Sequence, residues 1–397
     1  MEPRKVDTIV IGSGQGGNPL ASDLAKKGQQ VVMFERGLMG GTCLNYGCTP
    51  SKMLLASAHA ASQARRASNI GIKADVRVDF PEVINRIRTT KQSWSEGSGK
   101  RLKEAGVEVI HEEAHFAGER LIQSEKALIE ADTVVINTGE SPFIPPIEGV
   151  KDSPYLTYQT VWELDNLPES MVIVGGGYVG VELGQAFASL GSQVEIIDSN
   201  DRPISNTEPD VGKIIQEQLE ADGVRFHLND RAESVSHKKG LFHVGLSNGD
   251  PVQGEALLIT AGRKPNTDRL KASQGGVELG EKGHIRVNEH FQTTAEGVYA
   301  IGDVTGQPAF THVSWEDHRR LKAILNGEER SQMDRVLGYT IFTYPQVGRA
   351  GLTFEEAEEK GYRARRVTLP LEQVARATEI GYTKGFYRMV IDTETDE

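Results

Sequence analysis

The chain has 397 residues, more than one hydrophobic core usually supports, so we expect two or three domains. With 38% hydrophobic and 25% charged residues it is typical of a globular protein, and no apolar run approaches the ~20 residues that span a bilayer. The formal net charge of −12 argues against nucleic-acid binding, because no basic excess is available to displace phosphate counterions.

The N-terminus passes directly from Met1-Glu2-Pro3 into a strand-like segment, Val6 to Ile11. This leaves no room for a signal peptide, and we therefore expect a cytoplasmic protein.

The residues up to Glu35 predict a dinucleotide-binding βαβ unit. An apolar strand leads into Gly12-Ser13-Gly14-Gln15-Gly16-Gly17, a helical pattern ends at Gly28, and a second strand, Val31 to Phe34, precedes the acid. In such a unit the first glycine permits a tight turn, the second lets the backbone approach a pyrophosphate, and the third lets helix and strand pack closely. The pyrophosphate rests on the helix N-terminus, and the acid accepts hydrogen bonds from a ribose.

The same pattern occurs again between residues 171 and 198. A strand leads into Gly175-Gly176-Gly177-Tyr178-Val179-Gly180, and a helix and a second strand finish in Asp198. In both copies the acid lies 18 positions after the last motif glycine (17 to 35 and 180 to 198). The repeat predicts an α/β protein with two Rossmann-like dinucleotide-binding domains. An acid at this position repels a 2′-phosphate, so Asp198 favours NAD, although the nearby Arg202 leaves NADP possible.

The rest of the chain shows two composition changes. Helical patterns cover residues 53–67 and 82–105, and short strands cover 107–136. Pro142, Pro145 and Pro146 then form a stiff connector. From about Gly338 the pattern changes to strands around one helix, Thr353 to Lys360, which indicates a further α+β unit.

The two cysteines, Cys43 and Cys48, lie five positions apart. Thr49-Pro50 is a helix-opening signal, so Cys48 is expected beside a helix N-terminus, where the dipole favours a thiolate over a thiol of free pKa about 8.5. Lys52 adds positive charge one turn on. A structural disulfide would be unusual in a reducing compartment, and zinc would need about four ligands, so redox chemistry is the favoured interpretation over two inert thiols.

These motifs resemble the class I pyridine nucleotide-disulfide oxidoreductase family, which includes dihydrolipoamide dehydrogenase, glutathione reductase and mercuric reductase. The matching segments occur in family order along nearly the whole chain: the first glycine motif, the Cys43–Lys52 segment, Thr138-Gly139, and residues 175–182, 262–267 and 299–303. The resemblance implies an FAD-dependent enzyme that moves electrons from NAD(P)H through flavin to a Cys43–Cys48 disulfide.

The resemblance also implies a role for each matching residue. Cys48 would be the thiol against the flavin, and Cys43 the interchange thiol that meets the substrate. Lys52 would lie near flavin N5 and pair with Glu182, and Tyr178 would cover the nicotinamide pocket; for Tyr178 and Glu182, core packing and a surface charge are the alternatives. The implied FAD-binding set is Gly12, Gly14, Gly17, Glu35, Thr42, Lys52, Ala114, Thr138, Gly139 and Asp303, and the implied NAD-binding set is Gly175, Gly177, Tyr178, Gly180, Asp198 and Gly262.

The same resemblance divides the chain into domains. Residues 1–147 would be the first part of an FAD-binding domain, 148–266 an NAD(P)-binding domain, 267–336 the rest of the FAD-binding and central region, and 337–397 a partial interface domain of a homodimer. Family members usually continue into a His-Pro-x-x-x-Glu segment whose His serves as acid/base. No His-Pro pair occurs in this sequence, so we expect either a truncated chain or a replaced base.

The electron acceptor is open at this point. Residues 375–386 resemble mercuric reductase-like members, and thiolates bind soft metal ions well, so the leading prediction is a disulfide or soft metal-ion acceptor. A dihydrolipoamide dehydrogenase that reduces NAD and a non-catalytic flavin-binding regulatory protein are the alternatives. We predict no resident metal ion, since the histidines are scattered, and His312 is a candidate for a local role near the flavin.

Overall fold

A computed structural model of the protein describes residues 2–396. Its contacts divide the chain into two compact units. The first unit comprises Met1–Ser51, Asn85–Phe143 and Gly262–Arg335, and the second comprises Lys52–Ile84, Ile144–Ala261 and Val336–Glu397. Within the described residues, no helix combines the length and the hydrophobicity needed to cross a membrane.

The elements are numbered in chain order. The helices are α1 Gly17–Lys26, α2 Gly41–Asn45, α3 Cys48–Arg66, α4 Phe80–Glu104, α5 Tyr178–Leu190, α6 Pro209–Ala221, α7 Thr311–Leu325, α8 Phe354–Glu359 and α9 Ala375–Glu379. The strands are β1 Arg4–Ile11, β2 Val31–Phe34, β3 Glu108–Ile110, β4 His115–Gly118, β5 Leu121–Gln123, β6 Leu128–Ile136, β7 Glu140–Pro142, β8 Leu156–Thr157, β9 Ser170–Val174, β10 Gln193–Asp198, β11 Val224–Leu228, β12 Ala232–Lys238, β13 Leu241–Leu246, β14 Val252–Gly254, β15 Ala256–Ile259, β16 Arg263–Pro265, β17 Val298–Ala300, β18 Gly338–Ile341, β19 Val347–Ala350, β20 Ala364–Pro370 and β21 Phe386–Asp392.

The first unit is built on a seven-stranded sheet of order β3-β2-β1-β6-β5-β4, with β17 also beside β6. The five strands β3, β2, β1, β6 and β17 run parallel, which explains their continuous Val and Ile content, because parallel strands are buried on both faces. Ile11, at the end of β1, lies opposite both Phe34 and Ile136. The chain leaves β1 between two neighbours, the position at which open α/β sheets bind ligands.

The second unit repeats this arrangement in a five-stranded parallel sheet of order β11-β10-β9-β15-β8. Val174, at the end of β9, lies opposite both Ile197 and Ile259. An antiparallel three-stranded sheet, β12-β13-β14, belongs to the same unit. The predicted fold class, an α/β protein with two Rossmann-like sheets and a smaller α+β part, is confirmed. Assignment of the four domain ranges to FAD, NAD(P) and interface roles stays a prediction.

Helix α3 begins earlier than the sequence pattern indicated. The apolar period predicts a helix from residue 53, whereas α3 begins at Cys48. Its first turn carries Thr49, Pro50 and Ser51, which add nothing to an apolar period, and proline is tolerated there because a first-turn N–H has no helical partner. Cys48 is therefore the first residue of the helix, not its neighbour.

The residues from Gly338 onward form two antiparallel hairpins, β18–β19 and β20–β21, with two short helices. Helix α8 corresponds to the helix predicted at residues 353–360. A capping box fixes its start, because the Thr353 hydroxyl accepts the Glu356 N–H at 3.0 Å and the Glu356 carboxylate accepts the Thr353 N–H at 2.7 Å.

Candidate active site

The turn after β1 depends on close backbone approaches. Gly12 has a φ of 103°, and a Cβ atom there would collide with the carbonyl oxygen of Asn137. A Cβ atom on Gly17 would collide with the carbonyl oxygen of Gly12, so α1 packs directly against the end of the strand. The helix N-terminus therefore faces the turn without an intervening side chain, as a bound pyrophosphate requires.

Glu35, the acid after β2, is hydrogen-bonded to the same turn. Glu35 Oε2 accepts hydrogen bonds from the Ser13 N–H at 2.9 Å and from the Ser13 hydroxyl at 2.6 Å, and Oε1 accepts the Gly37 N–H at 2.8 Å. A carboxylate has about four acceptor positions, so this bracing leaves acceptor capacity for a ribose hydroxyl.

The turn after β9 repeats this construction. Gly175 has a φ of 111°, and a Cβ atom there would lie 2.7 Å from the carbonyl oxygen of Thr260. Asp198 Oδ2 accepts the Gly176 N–H, just as Glu35 accepts the Ser13 N–H. Glu35 and Asp198 therefore each accept a hydrogen bond from the N–H of the residue that follows the first motif glycine.

Two further residues of the implied NAD-binding set, Gly177 and Gly180, lie in this turn, and a third, Gly262, does not. A Cβ atom on Gly180 would collide with the carbonyl oxygen of Gly175, whereas one on Gly177 would meet no atom within 4 Å, so the backbone at Gly177 is open to a ligand. Gly262 lies in the first unit, where its carbonyl oxygen accepts the Phe143 N–H at 3.0 Å.

Asn137 was not among the predicted site residues, and its side chain connects helix α1 to the residue that follows β17. Its Oδ1 accepts the Gly17 N–H at 2.8 Å, and its Nδ2 donates to the Ile301 carbonyl oxygen at 2.8 Å. The next residue, Thr138, has a buried hydroxyl with no hydrogen-bond partner among residues 2–396. An unsatisfied buried hydroxyl costs about 1–3 kcal/mol, so Thr138 fits a bound group that supplies a partner, as FAD would.

The remaining residues of the implied FAD-binding set differ in surroundings. Gly139 has a φ of 65°, and its carbonyl oxygen accepts the Asn266 N–H at 2.9 Å. Ala114 is buried in the hydrophobic cluster beneath the first sheet, so only its backbone could meet a polar ligand. The carbonyl oxygen of Thr42 accepts the N–H groups of Tyr46 and Gly47 at 2.8 and 2.6 Å.

Asp303 lies in a cluster of charged side chains. Arg263 lies 3.4 Å from its Oδ2 and 3.3 Å from Oε2 of Glu140, and His284 Nε2 lies 3.0 Å from the other Glu140 oxygen. Burial raises the pKa of Asp303 to about 6, with Glu140 and Asp317 adding repulsion and Arg263 opposing them. The Arg263 guanidinium donates to Oδ2, and the carboxyl group keeps further acceptor positions that ribityl hydroxyls would fill.

Both cysteines lie in helical segments of the first unit, and Cys48 opens its helix. Cys43 is in the short helix α2, Cys48 is the first residue of α3, and both are partly buried. The Cys48 sulfur lies 3.2 Å from Oγ1 of Thr311, which is itself the first residue of α7. Two helix N-termini therefore adjoin this sulfur, and their positive ends favour a thiolate.

The structure pairs Lys52 with Glu182 in the second unit. Lys52 Nζ lies 2.9 Å from Glu182 Oε2, with 33% of the lysine side chain and 10% of the glutamate side chain exposed. Tyr178, the first residue of α5, stacks on Tyr339 with ring centroids 5.7 Å apart. Burial raises the pKa of the Tyr178 hydroxyl, and the neighbouring Tyr339 raises it further.

Thr311 and Asn137 are site residues that the sequence did not indicate. Thr311 adjoins His312, the residue that the sequence did suggest, whereas His312 itself stacks on Phe310. A Thr that opens a helix was the available signal for Thr311. Among the described residues, no group of three or more His, Cys, Asp or Glu side chains is arranged to hold a metal ion.

Residues 6–317 match the family model for pyridine nucleotide-disulphide oxidoreductases, and residues 338–397 match the model for their dimerisation domain. The chain belongs to the pyridine nucleotide-disulphide oxidoreductase family. A mercuric reductase of Lysinibacillus sphaericus is 32% identical over 98% of this chain and 72% of its own length. A dihydrolipoyl dehydrogenase of Halobacterium salinarum is 30% identical over 98% and 84%.

A solved structure of a family member has the same fold. The Cu(II) complex of the HOCl-induced flavoprotein disulfide reductase RclA from Escherichia coli superposes with a TM-score of 0.90 at 31% identity, covering 99% of this chain and 87% of that one. The predicted family, enzyme class and cofactors are confirmed: the protein is a flavin disulfide oxidoreductase that uses FAD and NAD(P)H.

Proposed function

We propose that Cys43 and Cys48 form the redox-active pair of this enzyme, with Cys48 beside the flavin and Cys43 meeting the acceptor. The observation that carries the proposal is the position of Cys48 at the N-terminus of α3 with the Thr311 hydroxyl 3.2 Å from its sulfur. This environment stabilises a thiolate, which is the nucleophilic form of cysteine. Cys43 lies five positions earlier, in the partly buried helix α2.

We assign the FAD site to the first unit and the pyridine-nucleotide site to the second. The glycine turn after β1, Glu35, Thr138 and Asp303 would hold FAD, which supplies two-electron transfer between nicotinamide and thiols. The turn after β9 would hold the pyridine nucleotide. We propose NAD as the preferred nucleotide, because Asp198 would repel a 2′-phosphate and because Arg202 donates to Asp201 at 2.9 Å and to the Ser205 carbonyl oxygen at 3.1 Å.

The proposed acceptor is a soft metal ion such as Hg(II), or a disulfide. Oxidation of the dithiol to a disulfide releases two electrons and two protons; a metal ion such as Hg(II) takes the electrons, and an external disulfide takes both and becomes two thiols. Thiolates prefer soft metal ions, and relatives named mercuric reductase match nearly the whole chain. Dihydrolipoamide oxidation is the second candidate, supported by the dihydrolipoyl dehydrogenases among the relatives.

An absorbance assay of the nicotinamide separates these candidates. We expect NADH oxidation that depends on Hg(II), is lost in Cys43→Ser, and exceeds NAD reduction by dihydrolipoamide. Faster turnover with dihydrolipoamide would reverse the order of the two candidates. Turnover with Hg(II) that is unchanged in Cys43→Ser would contradict the proposed role of Cys43.

We also propose that the enzyme is a homodimer, since residues 338–397 match the dimerisation domain of the family. Sedimentation equilibrium of the FAD-loaded protein tests this, and a mass of one chain at all concentrations would contradict it.

A further inference from the structure

The backbone of residues 342–344 is hydrogen-bonded to two side chains of helix α5. The Phe342 N–H donates to Glu182 Oε1 at 2.7 Å, and the Tyr344 N–H donates to Gln185 Oε1 at 2.6 Å. Gln185 Nε2 donates in return to the Tyr344 carbonyl oxygen at 2.7 Å. Because Glu182 and Gln185 are three positions apart on one helix face, these bonds fix the register of the segment.

Phe342 contacts both members of the Lys52–Glu182 pair. Its N–H occupies Glu182 Oε1, which directs Oε2 toward Lys52 Nζ at 2.9 Å. Its ring centroid lies 4.2 Å from the same Nζ atom. An ammonium group within ~6 Å of a ring centroid is attracted to the negative face of the ring. The ammonium is thus held by a carboxylate and by a ring, while 33% of the Lys52 side chain stays exposed.

We infer that Phe342 is a positioning residue for Lys52, and that its aromatic ring, more than its bulk, fixes where the ammonium lies. A lysine side chain is long and flexible, and one ion pair leaves it several geometries of similar energy. The ring removes this freedom and holds the ammonium at one position beside the Glu182 carboxylate. The inference rests on the proposed function: with Cys48 beside the flavin, Lys52 would also lie near it, because it is four positions further along the same helix α3.

Three variants separate the ring from the bulk. Phe342→Leu keeps the backbone N–H and an apolar side chain but removes the ring face, whereas Phe342→Tyr keeps the face. Tyr344→Leu is the matched control: it removes an aromatic ring from the same segment, one that contacts Arg66 at 4.7 Å and Tyr382 at 4.4 Å. All three are measured as FAD-loaded protein.

The readouts are the midpoint potential of the bound flavin and the rate of its reduction by NADH in stopped flow. A fixed cation favours uptake of electrons, so Phe342→Leu should lower the potential and slow reduction by about three- to thirtyfold, the range expected of a cation–π contact. Phe342→Tyr and Tyr344→Leu should leave both readouts near those of the wild type. Equal effects of Phe342→Leu and Tyr344→Leu would overturn the inference, since loosening of the segment would then explain both.

The Lys52→Met variant distinguishes failure of this inference from failure of the underlying proposal. We expect Lys52→Met to lower the potential, and Phe342→Leu to have no further effect in that background. If Lys52→Met alone changes neither readout, the proposed location of Lys52 is wrong. If Lys52→Met changes both but Phe342→Leu changes neither, or if Phe342→Leu has its full effect without Lys52, the positioning role is wrong while that location stands.

Discussion

The Thr311 hydroxyl, 3.2 Å from the Cys48 sulfur, is expected to stabilise the thiolate by donating a hydrogen bond to it. Hydrogen bonds to charged groups contribute about 1.5–3 kcal/mol. In the reduced enzyme, Thr311→Val should therefore move the pH profile of Cys48 alkylation to higher pH and slow alkylation by about tenfold on the acid side of that profile, the equivalent of roughly 1.4 kcal/mol. Mass spectrometry of the modified peptide measures this.

Thr311→Ser is the matched control for that measurement, since it keeps the hydroxyl, and it should behave as the wild type. An unchanged pH profile in Thr311→Val would show that the contact does not stabilise the thiolate.

The raised pKa of Asp303 leads to a prediction about how the free energy of unfolding depends on pH. Its pKa is raised from about 3.8 to about 6, so it contributes stability that is present below pH 3.8 and lost as the pH rises through 6. In the FAD-free protein, Asp303→Asn should therefore increase the free energy of unfolding, by up to about 3 kcal/mol at pH 7.5 and by less at pH 4.5. Urea denaturation at both pH values measures the difference, and an equal gain at both would contradict the burial argument.

At the scale of elements, the two glycine turns allow a comparison of matched variants. Cβ atoms at Gly17 and Gly180 would collide with the carbonyl oxygens of Gly12 and Gly175, respectively. Gly17→Ala should therefore reduce FAD retention after purification, while Gly180→Ala should keep FAD and raise the KM for NADH.

Flavin content and steady-state kinetics measure these two effects. Loss of FAD in Gly180→Ala, or an unchanged flavin content in Gly17→Ala, would contradict the assignment of the two turns.

These turns also show which parts of the fold can be predicted from sequence. The strand, glycine motif, helix and acid are local in sequence, so they could be identified twice from spacing alone, and the structure shows matching partners for Glu35 and Asp198. The Thr49-Pro50 signal located the start of α3 to within one residue, whereas the apolar period alone placed it five residues late, because a polar first turn leaves no apolar period. The contacts of Thr311 and Phe342 join residues 263 and 160 positions apart, and no local pattern reports such distances.

For the whole molecule, FAD binding is expected to stabilise the fold. A ligand that binds only the native state stabilises it by about 2.7 kcal/mol at a hundred times its Kd. The melting temperature of the FAD-free protein should therefore rise continuously with FAD concentration. Differential scanning calorimetry measures this rise, and a melting temperature independent of FAD would contradict an FAD site in the folded chain.

The most direct test of the central claim is an anaerobic reductive titration of the FAD-loaded enzyme with dithionite. If Cys43 and Cys48 form a redox-active disulfide in addition to the flavin, complete reduction requires two two-electron equivalents per chain, one for each centre. The Cys43→Ser variant should require only the flavin equivalent. A wild-type enzyme that is fully reduced by one equivalent, with the same end point as Cys43→Ser, would contradict the account.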